Sequence, residues 1–285
     1  MSERDFIRRS QLVTPAASEK MIAKALAADC DSLIIDLEDA IPPSKKAEAR
    51  QILRNALSGV KVGGKELGVR INGLETAWCL DDLLALNGLP IDTLIVPKVN
   101  RAEDIYAYEQ LVRQIEFRGT RKGLSLQPLI ETAQGLENAY SIARASARVR
   151  SLIFGVGDFM ADTGMAFDAA LLMPVRSRVV TAAAAAGVQA IDHVHPVVAD
   201  LEGLGRAARE AKALGFAGKW AIHPQQVEQI NSAFSPSSEE VEKARKTIEA
   251  YEAAQRAGQG AITLDGGLVD EAVLKIARRN LALAQ

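Results

Sequence analysis

Eight short apolar runs recur along this chain, near residues 11, 32, 67, 93, 125, 151, 188 and 219, and segments with helical spacing separate nearly all of them. Alternation of strand and helix sustained that far leaves few architectures open, because parallel strands need a crossover between them and a sheet of eight such units closes on itself. The pattern predicts an α/β fold, a (β/α)8 barrel of the TIM type, over residues 1–235. Residues 236–285 read as a C-terminal helical extension: a long charged helix from Ser237, a break at Gly258-Gln-Gly260, a turn through Leu264-Asp-Gly-Gly-Leu-Val-Asp270, and a final helix. Too large to be decoration, this tail is expected to cover a barrel mouth, its own or a neighbouring subunit's.

Barrel enzymes gather their chemistry where the strands end. Glu131 closes the run Leu124-Ser-Leu-Gln-Pro-Leu-Ile130, and Asp158 follows Leu152-Ile-Phe-Gly-Val-Gly157, so each reads as an acid at the end of a buried strand. Either acid alone reads as well as a helix cap or an ion-pair partner. Two at one mouth form a pair of hard oxygen ligands suited to a divalent ion such as Mg2+, with positions left for water or substrate oxygens.

The run Ser32-Leu-Ile-Ile-Asp36-Leu-Glu38-Asp39-Ala-Ile41 carries an apolar strand straight into three acids, and Pro42-Pro43 stops it. Extended backbone puts Asp36 and Glu38 on one side and Asp39 on the other. Such a cluster repels itself unless a cation or hydrogen-bond donors hold it; for the cluster alone, a site and a solvated turn are equal readings. Arg70 stands in the apolar strand Leu67-Gly-Val-Arg-Ile-Asn72, where a guanidinium needs an anion, and the expected metal site favours a substrate carboxylate over a protein one.

Thr93-Leu-Ile-Val-Pro-Lys98 ends in a lysine that invites an imine reading, but the surrounding acids supply another way to activate a carbonyl. Gly155 and Gly157 let backbone N–H groups approach a carboxylate or enolate oxygen. His193 and His195 suit a metal only with further nitrogen or sulfur ligands, and His223 reads as a hydrogen-bonded wall residue.

A formal charge of −2 over 285 residues provides no cationic excess for phosphate contacts, which argues against a nucleic-acid partner. Cys30 and Cys79 lack metal or disulfide spacing, so reduced thiols and a cytoplasmic location are expected. The N-terminal stretch Met1 to Ser10 mixes acids with bases and lacks a signal-peptide core, and no uninterrupted apolar run reaches membrane-spanning length. No membrane partner is expected.

The order Asp36-Leu-Glu-Asp-Ala40, Arg70-Ile-Asn72, Pro97-Lys98, Glu131-Thr-Ala133, Gly155-Val-Gly-Asp-Phe159, Gly218-Lys219, Ile222-His-Pro224 and Gly266 to Asp270 resembles the citrate lyase beta-subunit-like branch of the HpcH/HpaI aldolase family, which includes malyl-CoA and citramalyl-CoA lyases. The resemblance covers almost the whole chain. It implies a carbon–carbon lyase using Mg2+, with Mn2+ as an alternative, that cleaves a 3-hydroxyacyl-CoA thioester of the citramalyl-CoA, malyl-CoA or citryl-CoA type to a 2-oxo acid and acetyl-CoA or a homologue. It also implies a homotrimer or homohexamer.

By the same resemblance Glu131 and Asp158 are the metal ligands and Arg70 binds the 2-oxo acid carboxylate. Asp36, Glu38 and Asp39 support the metal-bound waters, with Asp39 where related pyruvate aldolases carry a histidine. Asp270 matches the acid that the tail of such lyases delivers to a neighbouring subunit, and Lys24 matches a lysine that approaches the coenzyme. Where those lyases continue their first strand as Pro-Gly-x-Arg-Pro, this chain reads Pro15-Ala-Ala-Ser18-Glu19 and lacks the arginine. That departure favours, as second reading, a CoA-independent aldolase acting on 4-hydroxy-2-oxo acids. A third is a binding or assembly subunit without turnover, against which the joint presence of Glu131, Asp158 and Arg70 argues.

Overall fold

The computed structural model describes residues 6–60, 63–119, 123–256 and 258–282. The first five residues of the N-terminal stretch read above lie outside them. By Cα proximity the chain forms two compact units, residues 1–231 and 232–285.

The first unit is a closed barrel of eight parallel strands in sequence order: β1 (Ser10–Pro15), β2 (Ser32–Asp36), β3 (Glu66–Arg70), β4 (Thr93–Val96), β5 (Ser125–Ile130), β6 (Ser151–Phe154), β7 (Gln189–Asp192) and β8 (Gly218–Ala221). β8 returns to pair with β1, Ser10 opposite Lys219 and Leu12 opposite Ala221. Closure leaves no strand edge to protect, and apolar residues can fill both faces.

Two layers fill the barrel interior. Ile34, Ile95, Leu129, Ile153, Ile191 and Trp220 pack into one apolar cluster, with Val13 and Val194 against it. Gly68 in β3 leaves room for this packing, since a Cβ there would sit 2.7 Å from Ile34 Cδ1 and 2.9 Å from Ile95 Cδ1. A buried polar network joins the same strands: Gln11 donates to Gln127 at 2.8 Å, Gln127 donates to Thr93 at 3.1 Å, and Trp220 Nε1 donates to Gln11 at 2.8 Å. Each of these buried groups has its partner, which offsets most of the cost of desolvating it.

The surrounding helices are α1 (Glu19–Leu26), α2 (Lys46–Leu57), α3 (Cys79–Ala85), α4 (Ala102–Phe117), α5 (Ala133–Glu137), α6 (Ala139–Arg144), α7 (Val156–Thr163), α8 (Ala169–Ala186), α9 (Leu201–Leu214) and α10 (Val227–Phe234). Ser18 caps α1, accepting from the Met21 amide at 3.3 Å. α8 begins at Ala169, five residues before its internal Pro174, because Asp168 accepts from the Ala170 and Leu171 amides and caps it there.

By length and composition α8 could cross a bilayer, at a mean hydropathy of 1.3. Yet Arg176 in its middle is buried and donates to both oxygens of Asp192 on β7 at 3.1 Å, which pins the helix to the barrel. Lys219 on β8 completes the cluster, with Nζ 2.6 Å from Asp192 Oδ2. Burial works against the Asp192 charge, but Lys219, His193 and Arg176 outweigh it and hold its pKa at about 2.

The second unit contains α11 (Ser238–Arg256), the antiparallel hairpin β9 (Ile262–Leu264) and β10 (Gly267–Val269), and α12 (Glu271–Ala282). The segment read as a turn is thus a hairpin whose two tip residues, Asp265 and Gly266, have φ of 51° and 77°. Tyr251, Val269 and Leu274 form a small core of their own. The unit boundary at Asn231 and Ser232 falls inside α10, a few residues before the boundary expected at 235.

Candidate active site

Asp36 and Arg70 are the last residues of β2 and β3, and the register places them side by side. Arg70 Nε donates to Asp36 Oδ1 at 2.7 Å and Nη2 to Asp36 Oδ2 at 2.6 Å. Its third nitrogen, Nη1, lies 3.1 Å from Glu38 Oε2. The guanidinium is thus paired with two protein carboxylates while it lines the cavity, where the sequence favoured a substrate carboxylate as its partner. Parallel strands in this register bring the two ends within reach, which the separate segments do not reveal. Burial opposes the guanidinium charge, but Asp36 and Glu38 raise its pKa further above the ordinary arginine value.

Asp36 also accepts from the Glu38 amide at 2.9 Å, so it organises the loop that follows it. Lys46, the first residue of α2 and one that carries no sequence signal of a site role, donates to the Leu37 and Glu38 carbonyls at 2.8 and 2.7 Å. Asn72 donates to the Leu37 carbonyl at 3.0 Å. Asp36 and Glu38 are buried and Asp39 is half exposed, but the strand ends at Asp36 and residues 38–40 turn, so the turn and not strand alternation sets these positions. Glu38 is buried, and its Oε2 has no hydrogen-bond partner among the described residues, the Arg70 contact being close but poorly aligned. Burial first, then Asp39 and Asp36 against the pull of Arg70, raises the Glu38 pKa.

Glu131 follows β5 directly and is 2% exposed. Its Oε1 accepts from the Lys98 amide at 2.7 Å. Lys98 adopts a left-handed backbone, φ 52°, uncommon for a residue with a Cβ, and its Nζ lies 3.4 Å from Glu38 Oε1. Against burial, Glu38, Asp39 and Asp158 raise the Lys98 pKa, which favours the protonated amine over the free base an imine needs. Burial, then Glu38 and Asp158, pushes the Glu131 carboxyl up to about 8.

Asp158 is not at a strand end. β6 stops at Phe154, Gly155 is the N-cap of α7, and Asp158 lies in that helix's first turn, because the Gly-Val-Gly stretch turns into helix instead of extending the strand. The Gly155 amide donates to the Ile130 carbonyl at 3.1 Å and so is not free for a substrate oxygen. Gly155 serves packing instead: a Cβ there would lie 2.5 Å from Glu131 Oε2 and 2.6 Å from Glu131 Cβ. Gly157 has open space around it and lines the cavity in the first turn of α7, where amides lack helical partners.

Asp36, Arg70, Glu131 and Asp158 all line a cavity of about 380 Å3 at the C-terminal mouth. Among the described residues no three His, Cys, Asp or Glu side chains converge on one point. The donor set is two carboxylates, one of them buried with a raised pKa, and a hard divalent ion would relieve that repulsion while keeping water or substrate ligands. The residues present fit such an ion.

A family model described as HpcH/HpaI aldolase/citrate lyase matches residues 9–224. The chain belongs to this family. A (3S)-malyl-CoA thioesterase of Cereibacter sphaeroides is 36% identical over 279 residues, covering 97% of this chain and 94% of that protein. An L-malyl-CoA/beta-methylmalyl-CoA lyase of the same species is 36% identical over 290 residues, covering 94% of this chain and 91% of that protein. Among solved structures, CitE of Mycobacterium tuberculosis in complex with magnesium, acetoacetate and coenzyme A is 33% identical, covers 98% of both chains and superposes with a TM-score of 0.79.

The other residues singled out in this family member each have local partners or exposure of their own. Lys24 is exposed in the last turn of α1, and Ser18 and Glu19, in the place of the family's arginine and proline, serve as helix cap and as acceptor for Asn55 at 3.0 Å. Asp270 lies in the second unit as the cap of α12, accepting from the Ala272 and Val273 amides at 3.0 and 3.1 Å. The histidines do not converge: His193 Nδ1 is 2.7 Å from the Val194 carbonyl, His195 Nε2 is 3.3 Å from Asp200, and His223 accepts from the Gln225 amide at 3.2 Å.

Proposed function

We propose that this protein is a Mg2+-dependent carbon–carbon lyase cleaving a 3-hydroxyacyl-CoA thioester to a 2-oxo acid and acetyl-CoA or a homologue. The observation that carries the reading is the cavity lining itself, which holds Glu131 and Asp158 together with the Asp36-bound guanidinium of Arg70. The names of the similar lyase and thioesterase and the magnesium and coenzyme A of the similar structure support it.

Glu131 and Asp158 would hold the ion, which supplies positive charge against the oxygens of the hydroxyl-bearing carbon and its carboxylate. Arg70 orients that carboxylate, already positioned by its two bonds to Asp36. Asp39, the exposed acid of its cluster, takes the hydroxyl proton. The oxygen's electron pair then forms the carbonyl of the 2-oxo acid, and the carbon–carbon bond breaks with its electrons passing to the thioester as an enolate. Asp270 of a neighbouring copy protonates the enolate carbon, giving the acyl-CoA. Lys24 meets the coenzyme's phosphates, and Asp36 and Glu38 keep the mouth's water shell in place.

This reading takes residues 236–285 as an extension serving a neighbouring copy in a homotrimer or homohexamer. A cytoplasmic location accords with two buried free thiols, Cys30 and Cys79.

The test is release of 2-oxo acid from malyl-CoA and citramalyl-CoA, with and without Mg2+, beside 4-hydroxy-2-oxo acids. Magnesium-dependent cleavage of a CoA ester is the expected result. Cleavage of the free acids alone would make the protein a CoA-independent aldolase and leave Asp270 without its task.

A further inference from the structure

Lys46 opens α2, and its side chain reaches back to the turn that leaves β2. The residue is 5% exposed, and its ammonium donates to the carbonyls of Leu37 at 2.8 Å and Glu38 at 2.7 Å. The centre of the Trp78 ring lies 5.2 Å from the same nitrogen. Two charge-assisted bonds and an aromatic face thus surround a cation that burial would otherwise disfavour.

The two carbonyls belong to consecutive peptide groups, one on each side of the Glu38 Cα. Each peptide group is planar, so bonding both to one nitrogen restrains φ and ψ of Glu38 and the direction in which its side chain leaves the backbone. Along that direction Glu38 Oε2 comes to 3.1 Å from Arg70 Nη1, and Oε1 to 3.4 Å from Lys98 Nζ. Asp39 begins at the second of these peptides, and its Oδ1 lies 3.8 Å from Lys98 Nζ.

Other donors hold parts of the same turn. The Leu37 carbonyl also accepts from Asn72 Nδ2 at 3.0 Å, and the Glu38 carbonyl from the Ile41 amide at 2.9 Å. Asn72 is held in turn by buried Asp82 on α3, which accepts from the Asn72 amide at 2.9 Å and from Arg50 Nη1 at 3.0 Å. Lys46 and Arg50 stand four residues apart on one face of α2. Of these donors Lys46 alone bonds both carbonyls that flank Glu38, and it is not among the residues lining the cavity.

We infer that Lys46 is a positioning residue for the carbon–carbon cleavage, holding Glu38 against Arg70 and Asp39 in place for the substrate hydroxyl without itself meeting metal or substrate. The inference rests on the lyase reading above, and adds a residue through which that site is set.

Steady-state kinetics of the full chain with Mg2+ test it, on malyl-CoA and citramalyl-CoA, with rates taken per folded protein. Lys46→Met keeps the length of the side chain and removes its N–H groups. It should lower kcat about 100-fold, the low end for a displaced acid–base group, and leave KM within about threefold. Lys46→Arg, whose guanidinium can donate to both carbonyls and stack on Trp78, should regain most of that loss. In Lys46→Ala, n-propylammonium matches the chain removed beyond Cβ and should raise kcat in a saturable way. Tetramethylammonium, which has no N–H, should not. A parent-like kcat in folded Lys46→Met, or equal effects of the two ammonium ions, would overturn the inference.

Amide hydrogen exchange reads the turn without turnover. Exchange at the Glu38 and Ile41 amides should quicken about tenfold or more in Lys46→Met and return to the parent rate in Lys46→Arg, with the barrel-strand amides unchanged. Parent-like exchange at both amides of Lys46→Met overturns the inference even where turnover falls. A parent that cleaves neither thioester sinks the lyase reading alone, and the exchange rates then decide whether Lys46 holds the turn.

Discussion

The amide of Lys98 donates to Glu131 Oε1 at 2.7 Å, and Lys98 reaches that position only by a left-handed turn of its backbone, φ 52°. One oxygen of the buried acid is thereby held by the chain itself, while Gly155 clears the space beside the other. The carboxylate best placed to hold an ion is thus oriented by two backbone features.

Lys98→Gly keeps the amide and relieves a left-handed conformation that costs about 1 kcal/mol, so thermal stability should hold or rise and Mg2+ affinity should remain. Lys98→Pro removes the donor and demands a φ near −65°, and should lower both stability and Mg2+ affinity. Calorimetric Mg2+ titration and thermal melts of the two variants check this; equal Mg2+ affinity in both would refute the role of the amide.

Gly155→Ala places a methyl 2.5 Å from Glu131 Oε2. The side chain must move, at a cost of about 1–3 kcal/mol. Mg2+ affinity should fall at least about tenfold, the equivalent of 1.4 kcal/mol, whereas Gly157→Ala, with open space around it, should leave affinity near that of the parent.

Stability without metal should depend on pH through Glu131. Its carboxyl is raised from 4.5 to about 8 in the folded protein, so the folded state binds more protons than the unfolded one between those values. That contribution is fully present below 4.5 and is lost as the pH rises through 8. Melting temperatures in EDTA at pH 6 and 8.5 should show the drop. Mg2+ should reverse it and bind more tightly at the higher pH with release of a proton. Glu131→Gln should flatten the difference and abolish Mg2+-dependent turnover; a parent-like slope in that variant would assign the effect to other groups such as Glu38.

Asp270→Asn retains a side chain able to cap α12 and removes the carboxylate. Turnover of a CoA thioester should fall about 100-fold, within the range of a lost general acid, with the melting temperature and Mg2+ affinity unchanged. Asp270→Ala should lose about 1 kcal/mol of stability as well, because the cap goes too. A parent-like rate for the asparagine variant would leave Asp270 a structural cap alone.

Strand periodicity and strand-end acids were legible along the chain because each depends on residues near one another. Eight apolar runs between helical segments suffice to predict the closed barrel, and Glu131 and Asp158 stand out as acids beside apolar runs, although Asp158 falls in a helix turn instead of at a strand end. The capping of α1 by Ser18 follows equally from local chemistry.

What only the tertiary structure decided are relations between segments far apart in sequence. Asp36 and Arg70 are paired by the register of β2 with β3, Glu131 is held by a lysine amide from the preceding strand's end, and Gly155 is needed because Glu131 passes beside it. Lys98 carries no local mark of its left-handed backbone, since lysine has no preference for it. Local pattern determines which elements form and which residues sit at their ends, because it reflects short-range periodicity and capping. Which charges meet, and which remain for a ligand, depends on strand register and barrel closure, where loop-spanning contacts set the distances.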